Sequence, residues 1–274
     1  MKKRKNKCKW SRIYGDAKIG FWNPWSYCNK RHEYAKSLKY DILGLGELHN
    51  NQTNDNYKGR NWICSERSAV DEQGYDADAD PAAGVVILLS PRFAERILDS
   101  GWEGSRIVWA RLAGPVCNLF VVVTYIPHRG RTKKPFATDT IKKIKELLVT
   151  VKKTDCVILM GDLNCELQRH QKGCTGKWCM NTRKDNGHGE EILTLMRNFD
   201  LFAVDTLFKP ERKVWGQGER KRYCNATYIP KHTGKRPRKL DYTGICVSNR
   251  WKGMVKNVQS RWGPSMHRFG HSQV

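Results

Sequence analysis

Cys156-Val157-Ile158-Leu159-Met160-Gly161-Asp162-Leu163-Asn164-Cys165-Glu166-Leu167 is the most informative segment of the chain. A short apolar run stops abruptly at a glycine, and an Asp and an Asn two positions apart follow it. The run is too short to span a membrane and reads as a strand buried on both faces. Side chains alternate with period 2 along a strand, which predicts that Asp162 and Asn164 face the same way at its mouth. A carboxylate and an amide held together there can orient a nucleophile and polarise an oxyanion. The competing reading is a plain turn, since Gly-Asp-Leu-Asn is ordinary punctuation after a strand. Residues outside the segment decide between the two.

The chain has 274 residues, enough for one large α/β domain or two small ones with a substantial core. Its 50 Lys and Arg against 27 Asp and Glu leave a net charge of +23. Such an excess repels itself and attracts polyanions, nucleic acid or an anionic membrane surface. No spanning segment or basic amphipathic helix is evident, so nucleic acid is the expected partner and a membrane is not. Met1-Lys2-Lys3-Arg4-Lys5 leads into polar residues and not into an apolar signal core. The expectation is an intracellular, nuclear protein, with residues 1–15 forming a basic arm for nuclear import or nucleic-acid binding. The 10 cysteines form no disulfide framework. Cys165, His170, Cys174 and Cys179 are the one cluster resembling a zinc site, and they lack paired Cys-x-x-Cys spacing.

Apolar runs at Lys18–Asn23, Tyr40–Glu47, Gly84–Leu89, Arg106–Leu112, Asn118–Tyr125, Leu201–Asp205, Asn225–Ile229 and Leu240–Val247 read as strands, with Val255–Val258 as a last one. His32–Lys39, Thr138–Lys153 and Glu190–Phe199 have helical character. The polar insertion Asn50–Asp80 reads as a surface loop. Strands with interspersed helices and no linker predict a single α/β sandwich over residues 16–274. Several strands close on a polar residue: Asn23, Glu47, Tyr125, Asp162 with Asn164, and Asp241, with a histidine near the end of the chain. A layered sheet structure can gather these at one rim. That is the oxygen-rich setting a Mg²⁺-assisted hydrolase needs.

Phe21-Trp22-Asn23, Leu45-Gly46-Glu47-Leu48-His49, Val123-Thr124-Tyr125-Ile126-Pro127-His128, Met160-Gly161-Asp162-Leu163-Asn164 and Lys239-Leu240-Asp241-Tyr242 occur in the order of the endonuclease/exonuclease/phosphatase superfamily. With Asp205-Thr206-Leu207-Phe208 and Trp262-Gly263-Pro264, the chain most resembles the apurinic/apyrimidinic-type endonuclease domains of non-LTR retrotransposons. The resemblance implies a four-layer α/β sandwich, two packed mixed sheets flanked by helices, that hydrolyses a phosphodiester with Mg²⁺, or Mn²⁺ in its place. It implies that Glu47 and Asn23 hold the metal. Tyr125 then contacts the phosphate, Asp162 orients water or protonates the leaving 3′ oxygen, and Asn164 bonds a phosphate oxygen. Asp241 holds the catalytic histidine, His271 in preference to His267. His128, Arg129, Arg131, Lys235, Arg236 and Arg238 would contact DNA phosphates, which position without reading sequence.

Two positions depart from the pattern. Gly270 precedes His271 where the family carries an Asp, and Trp25 stands where many members carry an acid. Together with an end four residues after Gly270, these raise the alternatives of a truncated last strand and of a catalytically impaired DNA-binding relic. A same-fold phosphatase is the other rival. The expected assembly state is a monomer or a part of a larger polyprotein.

Overall fold

The computed structural model describes residues 16–24, 34–35, 37–49, 61–66, 83–127, 136–168, 170–179, 188–209, 212–213, 222–223, 243–262 and 270–273. The expected arm, the strand at Asn225–Ile229, Trp25, His128, Arg129, Arg131, Lys235, Arg236, Arg238, Asp241 and His267 lie outside them.

Fourteen strands form two six-stranded sheets and one small hairpin among these residues. The first sheet contains β1 (Ile19–Trp22), β2 (Ile42–Leu45), β3 (Asn61–Cys64), β4 (Val86–Leu89), β13 (Gln259–Trp262) and β14 (Gly270–Gln273), in the order β13-β14-β1-β2-β4-β3. The second contains β5 (Ile97–Trp102), β6 (Ile107–Leu112), β7 (Leu119–Tyr125), β8 (Cys156–Asp162), β9 (Leu201–Ala203) and β12 (Thr243–Ser248), in the order β5-β6-β7-β8-β12-β9. The hairpin pairs β10 (Arg212–Lys213) with β11 (Arg222–Tyr223). Both sheets are mixed in the same way: a parallel pair lies at the centre, β1 with β2 and β7 with β8, and every other pairing is antiparallel. Parallel neighbours end at the same edge of a sheet. All four central strands therefore deliver their C-terminal residues to a rim.

Alternation explains the layers. Phe21, Ile42, Ile87, Val121, Val123, Ile158, Met160 and Ile245 pack together between the sheets. Their strand neighbours Phe120, Val122, Val157 and Leu159 face outward, against the helices α2 (Phe136–Val149) and α3 (Gly189–Asn198). Helix α1 (Pro91–Ala94) is a single turn after β4. On the outer face of the first sheet, Trp22, Leu43, Leu45 and Leu88 pack against Tyr34, Ala35 and Trp62. Burial on both faces is why β2, β4, β7 and β8 are continuous apolar runs and not alternating ones. At Gly44 the sheets come so close that a Cβ would sit 2.8 Å from Val123 Cγ2 and 3.1 Å from Met160 Sδ.

The four-layer α/β sandwich expected from the sequence is the observed architecture. Four strands escaped the reading: β3, β5 and both short strands of the β10–β11 hairpin. The edge strand β5 exposes most of its residues and so lacks an apolar pattern, and β3 runs through the insertion expected to be a surface loop. The last expected strand is displaced to β13, because Val255 follows the 3-10 turn Asn249–Met254. Residues Gly270–Gln273 form a paired strand between β1 and β13.

Candidate active site at the rim between the sheets

Asn23 follows β1 directly and keeps its inward parity, so it leans toward the second sheet. Its amide Nδ2 donates to two carboxylates at once, Glu47 Oε2 at 2.7 Å and Asp162 Oδ2 at 2.7 Å. Glu47 comes from just past β2 in the same sheet, and Asp162 is the last residue of β8 in the other. Tyr125 ends β7 in register with Asp162, and its hydroxyl reaches Glu47 Oε1 at 3.4 Å. All four side chains are buried. Two sheets thus contribute two residues each to one polar cluster.

The backbone around it is held in unusual shapes. Glu47 and Asn164 are both left-handed, with φ of 56° and 45°. Non-glycine residues avoid this region at a cost of about 1–3 kcal/mol and adopt it where the surroundings dictate it. The left-handed turn at Asn164 ends the extended run of β8. β8 ends at Asp162, and beyond it Asn164 donates its side-chain Nδ2 to the Ile126 carbonyl at 2.8 Å. Its backbone N–H donates to Asp162 Oδ1 at 3.2 Å, and the Ile126 N–H donates to the Asp162 carbonyl at 2.9 Å. Asn164 therefore buttresses Asp162 and ties the ends of β7 and β8 together. The Ile126 carbonyl is a site component that sequence reading missed, because a backbone acceptor leaves no mark on residue type.

Burial pushes the Asp162 carboxyl up to about 7, and the negative charge of Glu47 adds to the rise, while hydrogen bonds from Asn23 and the Asn164 backbone oppose it. Two buried carboxylates sharing one amide donor, one of them resisting ionisation, are a donor set short of positive charge. Hard oxygens in this arrangement fit Mg²⁺ or Mn²⁺, with the Glu47 and Asp162 carboxylates as candidate ligands, while Asn23, expected to hold the metal with Glu47, turns its amide Nδ2 to both of them. Among the described residues no group of three His, Cys, Asp or Glu side chains gathers around one point. Of the zinc-like cluster, Cys165, Cys174 and Cys179 are buried, and Cys179 Sγ donates to the Leu167 carbonyl at 3.1 Å. Its histidine, His170, stands exposed on a left-handed turn with φ of 63°.

Raising a carboxyl above its ordinary value makes the folded state hold a proton more tightly than the unfolded one. The stability from this group is full below the usual value of 3.8 and is lost as pH rises through about 7. The shift corresponds to roughly 4 kcal/mol at most. A bound dication offsets that loss where Asp162 is ionised. The thermal midpoint is expected to rise with added Mg²⁺ much more at pH 8 than at pH 5, as measured by scanning calorimetry against a chelator control.

The other sequence-derived candidate within the described residues is His271. Pairing of Gly20 with Gln273 and Phe21 with Ser272 carries its backbone to the level of Trp22, next to Asn23.

No protein-family model and no curated protein sequence matches the chain. Solved structures do. An AP endonuclease from Archaeoglobus fulgidus superposes with a TM-score of 0.62 at 14% identity, covering 94% of this chain and 99% of that one. The 3′-5′ exonuclease NExo from Neisseria meningitidis gives 0.60 at 17%, covering 93% and 98%. The endonuclease domain of TRAS1, a telomere-specific non-LTR retrotransposon, gives 0.56 at 11%, covering 94% and 97%. The chain has the endonuclease/exonuclease/phosphatase fold. At these identities the likeness is one of fold, and it spans nearly the whole of each partner. Within an endonuclease/exonuclease/phosphatase sandwich, the rim cluster occupies the place where the central strands of both sheets end. No helix among the described residues is long and apolar enough to cross a membrane.

Proposed function

We propose that the protein is a Mg²⁺-dependent DNA endonuclease of the retrotransposon type, nicking one strand by phosphodiester hydrolysis in the nucleus. The observation that carries this reading is the Asn23 amide bridging Glu47 and Asp162 at the rim. It supplies a paired-carboxylate site on a fold whose compared members are nucleases, in a chain of net charge +23.

Glu47 and Asp162 would hold Mg²⁺ there, and the ion would supply charge neutralisation at the scissile phosphate. The protein's own groups do the rest. Asp162, ionised while it holds the metal, would orient the attacking water. Asn23 keeps the two carboxylates in register, and Asn164 fixes the direction of Asp162. Tyr125 presents its hydroxyl to a phosphate oxygen, and Asp241 with His271 would stabilise the charge developing there. Basic side chains elsewhere, Arg129 and Arg131 among them, would hold the duplex by its phosphates.

Nicking of supercoiled plasmid tests the proposal. Cleavage with Mg²⁺ or Mn²⁺, absent with chelator and absent in Glu47→Ala, is the expected result; metal-independent or absent cleavage by the intact chain would overturn it. Tyr125→Phe should retain activity at about one-tenth to one-hundredth of wild type. Its 3.4 Å bond to Glu47 is long, so the thermal midpoint should barely move. The DNA-binding relic remains the second reading because Gly270 offers no carboxylate before His271. It predicts salt-sensitive binding to DNA without cleavage.

A further inference from the structure

The loop that follows Asn164 returns to the same rim through a second, unassigned feature. Trp178 carries the Lys177 ammonium 5.3 Å and the Lys209 ammonium 5.7 Å from its ring centroid. Both lysines are exposed, and no carboxylate among the described residues pairs with either. An aromatic face attracts a cation and restricts its rotamers, so less freedom is lost when that cation meets an anion.

The platform is tied down by hydrogen bonds. The Trp178 backbone N–H donates to the Thr206 carbonyl at 3.2 Å, and the Gly176 N–H donates to Thr206 Oγ1 at 2.7 Å. Upstream, the Cys174 carbonyl accepts from the Ala203 N–H at 2.8 Å. A Cβ at Gly176 would lie 2.4 Å from the Thr206 carbonyl oxygen, so only glycine lets the loop approach this closely. The Cys165–Cys179 segment, which resembles a zinc site in sequence, thus acts as a strap that lays Trp178 against the end of β9.

Register places that end. Cys246 pairs with both Leu159 of β8 and Ala203 of β9, which puts these two residues at one level. Both strands run antiparallel to β12 and so head the same way: β8 continues to Asp162, and β9 gives way to the 3-10 turn Val204–Thr206 on the same side of the sheet. Two strand spacings, about 10 Å, separate β8 from β9 along the rim.

We infer that Lys177 and Lys209, clasped by Trp178, form an accessory phosphate-binding pair that holds the DNA backbone flanking the scissile phosphate. Lys177 and Lys209 contact the phosphates, and Trp178 is a positioning residue. The inference rests on the nuclease reading above, and it adds a second point of contact that fixes which way the duplex lies across the rim.

Anisotropy titrations of a fluorescent duplex in chelator, across a salt series, test it. Replacing both lysines (Lys177→Gln with Lys209→Gln) is expected to weaken binding tenfold or more near physiological salt. It should also reduce the slope of log K against log salt by roughly 1.8, two phosphate contacts' worth. Trp178→Ala should weaken binding severalfold with the slope kept, and Trp178→Phe should restore it. Lys153→Gln, an exposed lysine before the start of β8 at the opposite rim, controls for the loss of a charge. Wild-type affinity and slope in the double lysine variant, with DNA binding and nicking intact in the parent, would overturn this inference alone. A parent chain that binds no DNA would overturn it together with the nuclease reading. Because the lysines are exposed, their substitution decides the matter even if Trp178→Ala fails to fold.

Discussion

Asp162→Asn is expected to abolish metal-dependent nicking, by about a thousandfold or more, while making the metal-free protein more stable above pH 7. The two effects share a cause. Asp162 is buried beside Glu47, and burial with like-charge repulsion pushes its carboxyl up to about 7. An asparagine removes the charge, and with it the anionic ligand. It can still accept from the Asn23 amide but loses one of the two acceptor oxygens, the one that now receives the Asn164 N–H. Removing up to roughly 4 kcal/mol of charge cost and losing about 1–2 kcal/mol of hydrogen bonding leaves a net gain near pH 8.5. Below pH 5 the wild-type carboxyl is already neutral, so the sign reverses and the substitution destabilises. Urea titrations in chelator at the two pH values, with plasmid nicking in parallel, check it. Activity lost through unfolding would instead lower stability at both.

Gly161→Ala should be the most damaging single methyl group near the site. Its Cβ would lie 2.1 Å from the Thr124 carbonyl oxygen and 2.9 Å from Thr124 Cγ2, where β7 and β8 pair in parallel. A carbonyl in a sheet ladder cannot swing aside as a flexible side chain can, so the pair must open locally. A loss of about 3 kcal/mol or more is expected, a large part of a typical domain's stability. Activity should fall with it, because the next register pair is Tyr125 with Asp162. Gly244, opposite Gly161 on β12, is the comparison: a Cβ there meets Leu163 Cδ1 at 3.6 Å, ordinary contact. Gly244→Ala should cost less than about 1 kcal/mol. Denaturant midpoints of the two variants measure the contrast.

The readable part of the fold is the part buried on both faces. β7 and β8 announce themselves as Leu119–Tyr125 and Cys156–Asp162 because nothing polar can sit on either side of a central strand. Edge strands carry no such constraint. Ile97–Trp102 alternates with neither period and is mostly exposed, and Asn61–Cys64 hides in a polar insertion. The cysteine spacing misdirects in another way: thiols that resemble ligands in sequence are buried packing groups in a strap.

The α/β class, the excess of positive charge and the identity of the polar residues that close the central strands are all written in the chain. Local pattern suffices for these, since alternation and burial act over a few residues at a time. What those residues do to one another depends on the packing of the sheets. Asn23 and Asp162 are 139 positions apart in the chain, yet one amide hydrogen bond of 2.7 Å joins them. The Asp162 carboxyl is raised by the exclusion of water and by Glu47 from the opposite sheet, causes that exist only once the sheets have packed. The hold on the Asn164 amide depends likewise on the Ile126 carbonyl just past the neighbouring strand.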